Sequence, residues 1–132
     1  MPRFVVLRHS LPAESERPTH WDWMFELNGV LETWATEPLE QLFGPSELIE
    51  PISVIAQRLA DHRLEYLEYE GPVSGNRGSV ARILRGTYTC LDQSPRHRRL
   101  SVEELGYVIE FDIASDEKLD AVQLHLLIHL IK

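Results

Sequence analysis

Short apolar runs separated by turn-forming residues fill most of the chain, and their alternation has a period near two. Phe4 to Leu7 is apolar and valine-rich, and it predicts a first strand ending at Arg8-His9. Residues 10–19 hold two prolines, two serines and two glutamates and predict a loop. Trp21 to Leu27 alternates large and polar groups up to Asn28-Gly29, the strongest short hairpin signal, and Val30 to Ala35 is the returning strand. Residues 36–51 are acidic, carry three prolines and predict a surface excursion. Ile52 to Leu59 fits a short helix or a strand equally well. Gly71 to Gly78 has three glycines and a proline and predicts a turn-rich loop. Val80 to Leu84, Thr87 to Leu91 and Tyr107 to Ile113 predict further strands, and residues 92–101 a polar, arginine-rich loop. Ala121 to Ile131 is nearly all apolar and fits either helix or strand.

This succession predicts a mainly β fold: a compact barrel of about eight strands with one or two short helices. The 132 residues suit a single domain, and 43% hydrophobic content fills one core. No stretch approaches the ~20 apolar residues that span a bilayer. The N-terminus lacks the apolar run of a signal peptide. The single Cys90 excludes an internal disulfide, reads as a small buried hydrophobe and fits a reducing, cytoplasmic setting. The expected state is a monomer, with the apolar tail either closing the barrel or making a dimer contact. The net charge of −8 argues against a general nucleic-acid coat protein. Yet Arg77, Arg82, Arg85, Arg96, Arg98 and Arg99 crowd residues 77–99 against one acid, Asp92. Arginine forks suit phosphate oxygens, although a solvated loop explains such a run as well.

The chemistry-bearing cluster is His20-Trp21-Asp22. Residues two apart on a strand share a face, so one imidazole and one carboxylate project together. His9, closing the preceding strand, approaches the same point. Two imidazoles and a carboxylate leave open positions for water and substrate and suit Mn²⁺, Fe²⁺ or Zn²⁺ rather than Ca²⁺. Spacing alone leaves a second reading open, a hydrogen-bonded His–Asp pair that stabilises the hairpin. A further cluster is Asp61-His62-Arg63-Leu64-Glu65-Tyr66. There His62 suits a general acid or a phosphate ligand, Arg63 a phosphate clamp and Tyr66 a hydrogen-bond donor to a phosphate oxygen. His125 and His129 are four apart and would share a helix face, but their apolar surroundings fit a half-buried pair in a core element better than a metal site.

Taken in order, Arg3-Phe-Val-Val-Leu-Arg-His9, His20-Trp-Asp-Trp-Met-Phe-Glu-Leu-Asn-Gly-Val-Leu31, Trp34-Ala35, Asp61-His-Arg-Leu-Glu-Tyr66, Tyr69-Glu-Gly-Pro-Val-Ser-Gly-Asn-Arg-Gly78 and Arg85-Gly-Thr-Tyr88 resemble the 3′-phosphoesterase domain of bacterial DNA ligase D. The likeness runs over residues 3–91 and is nearest to the stand-alone branch of that family. It implies a Mn²⁺-dependent β-barrel enzyme that removes a 3′ phosphate or 3′ ribonucleoside from DNA or RNA–DNA ends and leaves a 3′ hydroxyl. Partners in end joining, ligase or polymerase, are implied too. Carried over by position, His9, His20 and Asp22 are the metal ligands, His62 the phosphate-contacting histidine and Tyr66 the tyrosine four residues later.

The series also departs from the family. Met24 stands where the family has a catalytic arginine, Glu37 and Pro38 where a lysine is expected, Val54 near the place of a second arginine, and Leu7 at a common glutamine. Arg63 and Arg77 are candidates to replace the lost positive charge. Each charge-assisted hydrogen bond lost from a phosphate site costs ~1.5–3 kcal/mol, about one to two decades in rate. The expectation is therefore a metal-dependent 3′-phosphoesterase with His62, Tyr66 and Arg63 catalytic and His62, Arg63 and Arg77 on the phosphate. Two alternatives stay open: a non-catalytic metal-containing module that binds nucleic-acid ends or phosphate, and a plain partner-binding domain.

Overall fold

The computed structural model describes residues 2–39, 52–75, 77–94, 97–102, 107–113 and 121–128. They form ten strands: β1 (Arg3–Ser10), β2 (His20–Leu27), β3 (Val30–Thr36), β4 (Ile52–His62), β5 (Gly71–Pro72), β6 (Ser79–Thr87), β7 (Thr89–Ser94), β8 (His97–Val102), β9 (Tyr107–Ile113) and β10 (Ala121–Ile128). One 3-10 turn, Leu64–Leu67, follows β4. No helix among the described residues is long and apolar enough to cross a membrane.

The strands are ordered β5-β6-β1-β2-β3-β4-β10-β9-β8-β7, and every neighbouring pair is antiparallel. That order is open, with β5 and β7 at its edges, so the expected closed barrel is not formed. The turn from one layer to the other is at Tyr88. The chain passes from β6 to β7 through this one residue, whose buried ring donates its hydroxyl to the Glu26 carbonyl at 2.6 Å. The two strands diverge there instead of pairing. The ladder folds over into two open, facing layers, since Leu100 and Val102 of β8 and Ile109 of β9 join Phe4, Val6, Trp21, Trp23, Phe25 and Trp34 in one core.

The alternation in β1 and β2 explains both this core and the opposite face. Phe4 and Val6, then Trp21, Trp23 and Phe25, point between the layers. Their burial removes large apolar areas from water, at roughly 25 cal/mol per Å². Phe4 and Phe25 stand opposite each other in the ladder, with ring centroids 6.2 Å apart. Val5, Leu7 and Met24 point the other way into a second cluster, roofed by Leu67 of the 3-10 turn and flanked by Tyr66. His9, His20 and Asp22 continue that second face. The Asn28-Gly29 turn holds both residues at positive φ (53° and 81°), as the two-residue hairpin requires.

Two further expectations are corrected. Residues 92–101 are no loop: most lie in the β7–β8 hairpin. Their arginines are accommodated because Arg98 meets Glu32 and Arg99 reaches Glu110 at 3.2 Å, while Leu100 and Val102 fill the core. Cys90 is exposed rather than buried. Arg96, His129 and most of the 36–51 excursion lie outside the described residues. The apolar tail is a strand from Ala121 to Ile128, so His125 lies on a strand and not on a helix.

Candidate metal centre

His9 and His20 are direct neighbours across the β1–β2 ladder, and Asp22 is two residues beyond His20 on the same face. Their donor atoms lie within 4.8 Å of one another. Asp22 is 2% exposed and His20 7%. His20 Nε2 is 3.1 Å from Asp22 Oδ1, and His9 Nδ1 is 3.6 Å from Asp22 Oδ2. The imidazole centroids are 4.9 Å apart.

Each ring is oriented from behind. Arg77 carbonyl lies 2.7 Å from His9 Nε2, and Pro18 carbonyl 3.1 Å from His20 Nδ1. A carbonyl only accepts, so each of these nitrogens donates its N–H outward. In the neutral rings the lone pairs, on His9 Nδ1 and His20 Nε2, then face the acceptor-only carboxylate. Such an array needs a positive centre, either a proton or a metal ion. His20 Nε2 and Asp22 Oδ1 are buried and make no hydrogen bond, despite their 3.1 Å approach. Two donors ~2.1 Å from a shared ion stand roughly 3.0–3.5 Å apart, which matches. Outward N–H groups on backbone carbonyls are the usual support of metal-ligating histidines. The three side chains therefore fit a divalent transition ion.

Without an ion, the Asp22 carboxylate 3.6 Å from His9 raises the imidazole's proton affinity against the opposing effect of burial. Burial pushes the Asp22 carboxyl up, but contacts from His20 and His9 outweigh it and the net shift is downward. The carboxylate is thus ionised and ready to hold a cation.

Gly78 makes the Arg77 carbonyl available. At φ +80° it passes so close to the end of β1 that a Cβ would overlap the Ser10 carbonyl oxygen and lie 3.0 Å from Leu11 Cα. The glycine-rich loop thereby lays residue 77 on His9. The Arg77 side chain folds back onto its own loop, with Nε donating to Ser74 O at 2.7 Å.

The second cluster shares the face but not the triad. His62 stands opposite Leu31, across a bulge that shifts the β3–β4 register and turns His62, rather than Asp61, toward the side of Leu31. Its Nδ1 bonds the Ala60 carbonyl at 2.8 Å, and its ring meets Tyr66 edge-on at 5.5 Å. Met24, 1% exposed, lies between the triad and this pair. Arg63 projects into solvent beside Glu65, at 3.7 Å. The structure thus unites His9, His20 and Asp22, places His62 with Tyr66, and leaves Arg63 and Arg77 at the margin.

No protein-family model matches the chain. Part of it is similar to LigD. Over 90 residues, 66% of the chain, it is 31% identical to the multifunctional non-homologous end joining protein LigD of Pseudomonas aeruginosa. The match covers 10% of LigD, so the chain corresponds to a small piece of that protein.

Sequence reasoning missed two contributors. One is the Arg77 backbone carbonyl, signalled only by Gly78. The other is Arg17, which lines a cleft beside His20. Its position between the two histidines was the available signal, because a loop joining two such residues must run past them.

Proposed function

We propose that this chain is a divalent-metal-dependent phosphoesterase acting on 3′ ends of DNA or RNA–DNA, with Mn²⁺ as the ion and end-joining proteins as partners. The observation that supports it most is the converging donor set of half-buried His9 Nδ1 with buried His20 Nε2 and Asp22 in a chain similar to part of LigD. His9, His20 and Asp22 would hold the ion. When bound, a divalent ion neutralises phosphate oxygens and eases deprotonation of water.

The remaining roles fall to side chains. Water adds to phosphorus, the bond from phosphorus to the 3′ oxygen breaks, and that oxygen takes a proton, leaving a 3′ hydroxyl and phosphate. His62 has its Nδ1–H committed to the Ala60 carbonyl, so it is the imidazolium form, with a second proton on Nε2, that would hold a phosphoryl oxygen or protonate the departing oxygen. Tyr66 hydroxyl donates to a phosphate oxygen. Arg63 and Arg77, both exposed, supply positive charge from the rim.

The test is incubation with Mn²⁺ and a primer–template ending in a 3′ phosphate. Release of phosphate that disappears in His20→Ala and with chelator is expected, and absence of both product and metal binding defeats the proposal. A second reading, a metal-containing module that binds ends without turnover, draws on Met24, because a buried methionine occupies the face between triad and His62. It predicts binding of the same primer–template with background hydrolysis.

A further inference from the structure

A cleft of about 510 Å³ opens beside the triad, lined by Arg17, His20, Ala35, Glu37, Ile55 and Gln57 among others. Its floor follows from the ladder. Leu7, Asp22, Ala35 and Gln57 are successive partners across β1, β2, β3 and β4 and share one face. Ala35 is the smallest of the four, so the row dips between the Asp22 carboxylate and the Gln57 amide. Pro18 and Arg17 of the 11–19 loop form the wall over His20.

The charge at this wall is not neutralised locally, as it is at several other arginines. Arg58 meets Asp61 and Glu32, Arg82 meets Glu70, Arg98 meets Glu32 and Arg99 meets Glu110. Arg17 has no carboxylate in ion-pair range among the described residues. An uncompensated guanidinium at the mouth of a cleft beside a buried metal-ligand set suits an anion that also reaches the metal. Glu37 is the one acid in the lining and works against that anion.

We propose that this cleft seats the nucleotide next to the reacting phosphate, with Arg17 on a backbone phosphate and Gln57 hydrogen-bonding the sugar or base. The proposal rests on the phosphoesterase reading and assigns it a strand-binding subsite. Arg17 thereby restores positive charge that Met24 does not supply.

Anisotropy of a fluorescein-labelled primer–template with a 3′-phosphate end, titrated with the full chain in EDTA at low salt, tests it. Arg17→Ala and Gln57→Ala each weaken binding, the arginine by about tenfold, and Glu37→Gln tightens it. Arg99→Ala removes an equal charge from β8 and is the control, changing affinity less than about twofold. These residues are exposed or rim positions, so the variants fold. The proposal is overturned if the wild type does not bind, or if Arg17→Ala costs no more than Arg99→Ala. Mn²⁺-dependent turnover with unchanged binding in Arg17→Ala removes the subsite and spares the enzyme. Arg17-dependent binding with no turnover in the wild type supports the subsite and removes the enzyme.

Discussion

Gly78→Ala should damage the metal centre without touching a ligand. A Cβ at this position overlaps the Ser10 carbonyl oxygen, and it lies 2.9 Å from the carbonyl carbon and 3.0 Å from Leu11 Cα, all backbone atoms that cannot swing aside. Carbon contacts relax near ~3.5 Å, so the 77–78 segment must retreat by roughly an ångström. His9 Nε2 to Arg77 O is 2.7 Å and would stretch beyond hydrogen-bonding range. Losing such an outer partner costs ~10–100-fold in metal affinity. The φ of +80° adds about 1–2 kcal/mol of strain. Gly29→Ala is the matched control, with φ +81° and nothing within 4 Å of its added Cβ. Calorimetric Mn²⁺ titration beside thermal melts separates the two effects. Both variants should lose stability, while only Gly78→Ala should lose metal affinity. Equal Mn²⁺ affinity in the two variants would refute the argument that the loop carbonyl orients His9.

Other outcomes follow from the same contacts. Glu32→Gln leaves the half-buried Arg98 without its charge partner and should destabilise the fold by ~1–3 kcal/mol, read as a drop in Tm; an unchanged melt contradicts the pairing. The metal-free protein should be most stabilised by the triad between about pH 3.8 and 6.5, the ordinary values of Asp22 and His9. The raised His9 contributes stability that is complete below 6.5 and lost as pH rises through its folded value. The lowered Asp22 contributes stability present above 3.8 and lost as pH falls through its folded value. Saturating Mn²⁺ competes with the His9 proton, so its added stability should grow with pH over the range where the proton's share fades. Melts from pH 5 to 8 with and without Mn²⁺ check this, and parallel curves oppose it.

The triad was legible because strand alternation needs only local sequence: His20 and Asp22 sit two apart, and the Asn28-Gly29 turn fixes the β2–β3 register that holds their strand. The arginine-rich 92–101 segment was misread because what makes it a strand is remote. Glu32 and Glu110 neutralise its charges, and no local pattern announces them. The barrel failed for a similar reason, since closure depends on whether the edge strands β5 and β7 meet, and no local pattern announces that. Ile52 to Leu59 was undecidable from its own apolar residues; pairing with β3 and β10 settles it as a strand. The Arg17 cleft depends on Ala35 being small in a row of larger partners, a relation visible only once the register is known.

The most direct test of the account is an electron paramagnetic resonance titration of Mn²⁺ into the wild type, His9→Ala, His20→Ala and Asp22→Asn, with thermal melts confirming that each variant folds. One ion per chain bound by the wild type, with affinity lower by at least about a hundredfold in every variant, is the predicted result. Wild-type affinity retained in any folded member of that set would contradict a centre built from these three side chains.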